Sequence, residues 1–129
     1  MFNKFVISKT PYRISFFGGG TDFPEWFTNN EGMVISTTIN KYSYLIMSSD
    51  EGLNHKYKIK YYERENVNSL NKIKHPVIKK ALRYFKNIKN LHLSHHGDLP
   101  AQTGIGSSSA FTVGLMNSLN YLSRKKLTK

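Results

Sequence analysis

The strongest periodic pattern of the chain lies near its end, where apolar residues recur at helical spacing. Residues 107–122 predict an amphipathic helix with one apolar stripe. A second helix is predicted over Pro76 to Phe85, because proline opens it and apolar residues follow three and four positions apart. The stripe of the first helix consists of Phe111, Leu115, Leu119 and Leu122.

Other segments predict strands, since they alternate or are rich in β-branched residues. Asn40-Lys41 is a plausible tight connection between two of them, so we expect a hairpin there. The Lys/Tyr alternation of residues 56–62 favours an exposed strand. Strands outnumber helices, and the class expected is α+β. The predicted strands are residues 3–9, Arg13–Phe17, Met33–Asn40, Tyr42–Met47, 56–62 and Leu91–His95.

Length and composition narrow the class of protein. The 129 residues fit one domain, and 17 of them are aromatic, which is too many for a disordered chain. The absence of cysteine excludes disulfide scaffolds, thiolate zinc sites and cysteine nucleophiles. No apolar run approaches the roughly 20 residues of a membrane helix. The first residues also lack a signal-peptide pattern, so we expect a cytoplasmic protein with no membrane partner.

The net charge of +11 allows two interpretations. It can indicate an anionic partner such as nucleic acid, a membrane surface or a phosphorylated small molecule. It can also be compositional drift, because 15 of the 19 cations are lysine and arginine is the better reader of phosphates and bases. The lysines are scattered, with local clusters at residues 56–60, 72–89 and 124–129.

The most informative local feature is the glycine- and serine-rich loop that precedes the last predicted helix. A helix start offers unpaired backbone N–H groups and partial positive charge, and Gly104 and Gly106 permit close approach of a ligand. The serines at 107–109 add hydroxyl donors, which suits phosphate. The alternative is a serine N-cap on an ordinary helix. The loop lacks the Gly-Lys-Ser/Thr of the Walker motif and the dinucleotide fingerprint Gly-x-Gly-x-x-Gly.

Two motifs carry a resemblance to a known family. Pro100-x-x-x-Gly104-Ile105-Gly106-Ser107-Ser108-Ser109-Ala110 resembles the second motif of the GHMP kinases, Pro-x-x-x-Gly-Leu-Gly-Ser-Ser-Ala-Ala. The segment from Thr10 to Phe23 is similar to the first motif of galactokinase, with Gly18-Gly19-Gly20-Thr21-Asp22 in place of Gly-Glu-His-Thr-Asp. The pattern is closest to the heptose 7-phosphate kinase branch of the family.

This resemblance implies a fold and an ATP site. The fold is the α+β N-terminal domain of GHMP kinases, similar to domain 2 of ribosomal protein S5, with a mixed sheet and helices on one face. ATP phosphates would lie on the loop at the helix start, and Ser108 would be a Mg²⁺ ligand. Arg13 would lie near the reacting phosphate. The phosphate-binding residues implied are Gly104, Ile105, Gly106, Ser107, Ser108 and Ser109.

The first motif implies the sugar site. Asp22 would hydrogen-bond sugar hydroxyls, and the sugar would lie against the backbone of the glycine run. The implied substrate-binding residues are Gly18, Gly19, Gly20, Thr21 and Asp22. Simpler roles remain open, a surface ion pair for Arg13 and a helix N-cap for Asp22.

The family's catalytic Asp and magnesium-binding Glu have no obvious counterpart among the eight acids. We therefore expect residues 1–129 to be a truncated ATP-binding domain that lacks the C-terminal GHMP domain and is inactive alone. The substrates expected are ATP and a sugar phosphate, with no nucleic acid. The alternatives are a basic RNA-binding module of S5-like fold and a non-catalytic nucleotide-binding regulator. The pair His95-His96 offers at most one convenient metal ligand, because neighbours on a strand face opposite ways.

Overall fold

The computed structural model describes residues 4–49, 55–100 and 104–123. Its elements follow in the order β1 (Lys4–Phe17), α1 (Pro24–Phe27), β2 (Ile35–Ser49), β3 (Tyr57–Lys60), β4 (Arg64–Val67), α2 (Pro76–Tyr84), β5 (Leu91–Gly97) and α3 (Ser107–Ser123). Two 3₁₀ turns, Gly19–Asp22 and Leu70–Lys72, complete the list. The α+β class is confirmed.

The five strands form one mixed sheet in the order β1-β2-β5-β3-β4. All neighbouring pairs are antiparallel except β3 and β5, which run parallel. The helices α2 and α3 contribute to a core shared with β2, β3 and β5. The apolar stripe of α3 is buried against the sheet, as its spacing predicts. Among the described residues no helix is both long and apolar enough to cross a bilayer.

Two of the predicted strand pairs are wrong in the same way. The two segments predicted at residues 3–9 and 13–17 belong, from Lys4 onward, to one long edge strand, and residues 35–49 form one strand instead of a hairpin. Pro11 pairs with Tyr42 and Arg13 with Thr38, so β2 has two extra residues opposite this step. The Asn40-Lys41 pair therefore marks a bulge, where the ladder is interrupted without a reversal of the chain.

The Lys/Tyr strand is less exposed than the alternation predicts. β3 lies inside the sheet between β5 and β4, and both Tyr57 and Ile59 are buried. Its lysines point to the opposite side. The sequence pattern gave no signal for β4, whose four residues include two charged ones.

Candidate active site

The loop before α3 has the geometry of an anion-binding helix start. Gly104 and Gly106 adopt positive φ of 74° and 70°, which glycine reaches without strain. The amide of Ala110 donates to the carbonyl of Gly106 at 2.9 Å, so the helix begins at this glycine. The amides of residues 107–109 then lack partners within the helix and carry its partial positive charge. Residues 101–103 of the motif lie outside the described residues.

Arg13 lies directly against this loop, although 91 positions separate it from Gly104. Its amide donates to the carbonyl of Ile105 at 3.1 Å. A Cβ added at Gly106 would lie 3.0 Å from Cγ of Arg13 and 3.4 Å from its Nε. The guanidinium donates to Oγ of Ser15 at 2.6 Å, which fixes its direction. A permanent cation therefore lies beside the positive end of α3, and a bound anion would relieve the repulsion between them.

The preceding strand anchors the loop to the sheet. Beyond β5, the amide of Asp98 donates to the carbonyl of Tyr42 at 3.0 Å, and its carboxylate accepts from the Tyr42 amide at 2.8 Å. A Cβ at Gly97 would lie 2.5 Å from the hydroxyl of Tyr12. Burial of that hydroxyl, with the charge of Asp98, raises the pKa of Tyr12 and keeps it protonated at neutral pH. The start of the loop is thus held by β1 and β2.

A cavity of about 430 Å³ opens beside the first turn of α3. Its wall on one side is formed by Ser107 and Ser108, and aromatic rings form most of the rest. The ring centroids of neighbouring aromatic side chains lie 4.7–5.3 Å apart, so they make one continuous surface. These rings belong to Tyr61, Tyr62, His75, His95 and Phe111. Most neighbouring rings meet edge to face, so the surface offers a flat heterocycle separate ring faces and edges.

Burial favours the neutral form of the two histidines of this cavity. Burial lowers the pKa of His75, although the Glu65 carboxylate nearby opposes the shift. Burial also lowers the pKa of His95, and the neighbouring His96 and His75 add to the shift. Nε2 of His95 lies 3.0 Å from Oγ of Ser43 and shares a hydrogen bond with it. Within residues 4–49, 55–100 and 104–123, no cluster of three histidine or acidic side chains could hold a metal ion.

Glu65 is the buried acid among the described residues, and its carboxylate holds two residues that line the cavity. Its carboxylate accepts from the amides of Lys74 at 2.6 Å and His75 at 3.1 Å, and from the Tyr61 hydroxyl at 2.9 Å. Burial opposes the charge, but these hydrogen bonds outweigh it and hold the pKa of Glu65 below its usual value. The carboxylate thereby orients both Tyr61 and His75.

The turn of the first motif is built around one glycine. Gly18 has a φ of 83°, and a Cβ there would collide with the carbonyl of Met33. The Thr21 hydroxyl donates to the Gly18 carbonyl at 2.7 Å. Gly19 and Gly20 are exposed and have open space around them. One glycine of the three is therefore explained by packing, and the other two leave backbone accessible.

The N-cap role considered for Asp22 is wrong. The short helix α1 starts at Pro24 with Phe23 as its N-cap residue, because proline fixes the first helical position. Asp22 ends the preceding 3₁₀ turn and its side chain is exposed. The carboxylate is thus available to solvent or to a ligand.

The site residues fit a triphosphate better than a bare metal ion. The loop offers backbone amides and the hydroxyls of Ser107, Ser108 and Ser109, and Ser108 and Ser109 are exposed. A hydroxyl is a weak single ligand for Mg²⁺, which is usually held by one or two carboxylates together with substrate phosphates. Ser108 would therefore hold Mg²⁺ only together with the phosphates.

Comparison with known proteins finds a match to one family model over the second half of the chain. Residues 71–129, which contain the serine loop, match the family model described as GHMP kinases N terminal domain. The chain has the fold of a GHMP kinase N-terminal domain. The resemblance that the two motifs indicate is thereby confirmed, and so is the predicted mixed sheet. A search of curated protein sequences gives no match.

Solved GHMP kinase structures align over most of the chain. A D-glycero-D-manno-heptose 1-phosphate kinase from Bacteroides thetaiotaomicron superposes with a TM-score of 0.76 at 24% identity, covering 91% of this chain and 42% of its own. Methanococcus jannaschii mevalonate kinase superposes with a TM-score of 0.71 at 20% identity, covering 97% of this chain and 42% of its own. Lactococcus lactis galactokinase complexed with galactose superposes with a TM-score of 0.72 at 18% identity, covering 97% of this chain and 34% of its own. The chain thus spans about two fifths of the first two neighbours.

The structure brings together some of the sequence-predicted site residues and adds others. Arg13 meets Ile105 and Gly106 as the two motifs imply. The sequence patterns do not predict the aromatic cavity. Its rings come from four segments that are distant in sequence, at residues 61–62, 75, 95 and 111, and no local spacing links them. The available signal was the pair Tyr61-Tyr62 at the end of an alternating strand.

Proposed function

We propose that this chain is the nucleotide-binding part of an ATP-dependent sugar kinase of the cytoplasm. The observation that carries the proposal is the contact between Arg13 and the loop at Ile105 and Gly106. It joins a permanent cation to a helix start with free amides, and the aromatic cavity lies alongside. In the proposal the triphosphate lies on residues 104–109 and the adenine lies against the aromatic wall.

The proposed chemistry depends on position and charge. Phosphoryl transfer requires the γ-phosphorus, the attacking oxygen and the leaving oxygen to be roughly in line, and it spreads negative charge over the phosphoryl oxygens. The loop amides and the Arg13 guanidinium would stabilise that charge and fix the phosphates. Mg²⁺, when bound, neutralises charge between the phosphates, and Ser108 would be its protein ligand in this chain.

The acceptor proposed is the anomeric hydroxyl of a heptose 7-phosphate or a related sugar. Asp22 has an exposed carboxylate that can accept hydrogen bonds from sugar hydroxyls, and Gly19 and Gly20 leave backbone uncovered nearby. The similarity to a heptose 1-phosphate kinase and to a galactokinase supports a sugar acceptor. The choice of heptose rests on the resemblance of the first motif.

A second domain is part of the proposal, because the chain spans about two fifths of kinases such as the heptose enzyme. Several large apolar side chains of residues 10–33, here called the first-motif region, are exposed, which suits a surface covered by further protein. They include Phe16, Phe17, Phe23, Trp26, Phe27 and Met33. We propose that the catalytic Asp and a carboxylate ligand for Mg²⁺ belong to the part of such an enzyme outside these 129 residues.

Isothermal titration with Mg-ATP tests the nucleotide site in the chain as it stands. Ser108→Ala should weaken Mg-ATP binding by about tenfold, since it removes a hydroxyl from the phosphate cradle. Asn117→Ala is the matched control, because Asn117 is exposed on the same helix away from the cavity. Equal affinity of wild type and Ser108→Ala, or equal loss in both variants, would refute the proposal.

A further inference from the structure

A second cavity lies at the opposite end of the sheet from the serine loop. Its volume is about 660 Å³, within the range of small-molecule sites. It is lined at the start of β5 by Lys89 and Asn90, whereas the aromatic cavity is lined beyond its end by Gly97 and Leu99. Since β5 has seven residues, about 20 Å separates its ends. We call this second cavity the basic cleft.

Four cations converge on the basic cleft from separate parts of the sequence. Lys56 comes from the lysine cluster at residues 56–60, and Arg83, Lys86 and Lys89 come from the cluster at residues 72–89. Among the described residues that line the cleft, none is acidic. Four like charges around one concave surface repel each other, and an anion in the cleft would remove that cost.

The backbone that carries these cations is fixed before any ligand arrives. The Lys56 carbonyl accepts from the Leu91 amide at 2.7 Å, and the Lys56 amide donates to Oδ1 of Asn68 at 3.2 Å. Asn90 adopts a φ of 56°, a left-handed conformation that turns the chain sharply from Lys89 into β5. The cleft is thus a formed feature of the fold, and only the lysine side chains need to be ordered on binding.

Apart from its cations, the basic cleft is lined by the half-buried Leu70 and by the side chains of Asn68 and Asn90. Tyr57, Leu82 and Ile88 close its floor, and at 7% exposure or less they leave a ligand almost no surface of their own. A ligand with an anionic group and an apolar or ring-shaped body contacts both the cations and Leu70.

We propose that the basic cleft is a second ligand site, which binds a phosphorylated small molecule independently of the nucleotide site. The phosphate contacts Lys86, Lys89 and Arg83 at the rim, and the body of the ligand lies against Leu70. Such a site is outside the proposed kinase reaction and gives the domain a place where a phosphorylated metabolite can bind without competing with ATP.

The test uses ¹⁵N–¹H correlation spectra of the full chain titrated with inorganic pyrophosphate as the probe of anion binding. We expect saturable shifts at the amides of residues 86–90 and at Lys56. In the double variant Lys86→Gln/Lys89→Gln, the dissociation constant from these shifts should rise about tenfold, because two of four cations are lost. Both side chains are exposed, and well-dispersed spectra of the variant will show that it folds.

The matched control is Lys79→Gln/Lys80→Gln, which removes the same charge from α2 at positions that do not line the cleft. It should change the dissociation constant less than twofold, and Ser108→Ala should leave the cleft shifts unaltered even where ATP binding is lost. Pyrophosphate shifts confined to residues 104–109 would overturn the proposal. So would equal losses in the two double variants, or oligouridine RNA that binds across both lysine sets more tightly than pyrophosphate binds the cleft.

Discussion

At the scale of single residues, Gly106 is where the two motifs of the chain meet. It combines a positive φ with the closest approach of Arg13 to the loop. Gly104 has nearly the same φ of 74° but has open space around its Cα. The two glycines therefore separate the effect of backbone conformation from the effect of contact with the arginine.

Replacing Gly106 with alanine is expected to destabilise the fold by about 1–3 kcal/mol and to displace Arg13 from the loop. Gly104→Ala meets the conformational strain alone, so it should cost about 1 kcal/mol and leave Arg13 in place. Urea unfolding measures the stability of each variant, and calorimetric titration measures Mg-ATP binding. Binding that weakens equally in both variants would mean that the arginine contact has no role.

At the scale of elements, β4 and the start of α2 are joined by one buried carboxylate. Glu65 from β4 accepts the amides of Lys74 and His75, and His75 then caps α2 by accepting from the Ile78 amide at 3.4 Å. The cavity wall at Tyr61 and His75 depends on the same group. The strand with the weakest sequence signal thus organises the aromatic side of the candidate site.

Glu65→Gln is expected to cost about 1–3 kcal/mol at pH 7, because one amide N–H₂ must face a backbone donor. The folded pKa of Glu65 lies below the ordinary value of 4.5, so the charged group stabilises the fold above that pH. This stabilisation is lost as the pH falls through the folded pKa. Urea unfolding between pH 7 and pH 3 should show a smaller acid loss in the variant, and identical pH profiles would contradict the assignment.

The sequence predicted those elements whose pattern is local. The α3 stripe and the proline start of α2 are properties of short windows, and both appear as predicted. The prediction of a hairpin at Asn40-Lys41 is wrong, because a polar pair within a strand can mark a bulge as well as a turn. The contact of Arg13 with Gly106 followed only from the resemblance, and the aromatic cavity depends on tertiary packing that no local rule describes.

At the scale of the whole molecule, the exposed apolar side chains of the first-motif region have a measurable consequence. Phe17 is 73% exposed and Phe16 59%, on the same edge strand. Edge strands with exposed aromatic residues favour self-association. The isolated chain should therefore self-associate in sedimentation velocity experiments, in spite of its charge of +11.

The double variant Phe16→Ser/Phe17→Ser should shift the isolated chain toward monomer. Tyr121→Ser serves as the control, because Tyr121 is 62% exposed but lies on α3. The prediction is wrong if the wild-type chain stays monomeric across concentrations. It is also wrong if the control lowers association as much as the phenylalanine variant, because this surface then does not drive self-association.

The central claim is that Arg13 and the loop at residues 104–109 form a triphosphate site. Its most direct test is a ¹⁵N–¹H titration of the chain with Mg-ATP, which reports each amide even when affinity is low. The account predicts the largest shifts at the amides of residues 104–109 and at Nε of Arg13, with smaller ring-current shifts at Tyr61 and His75. Saturable ATP shifts that leave the loop and Arg13 untouched would contradict it.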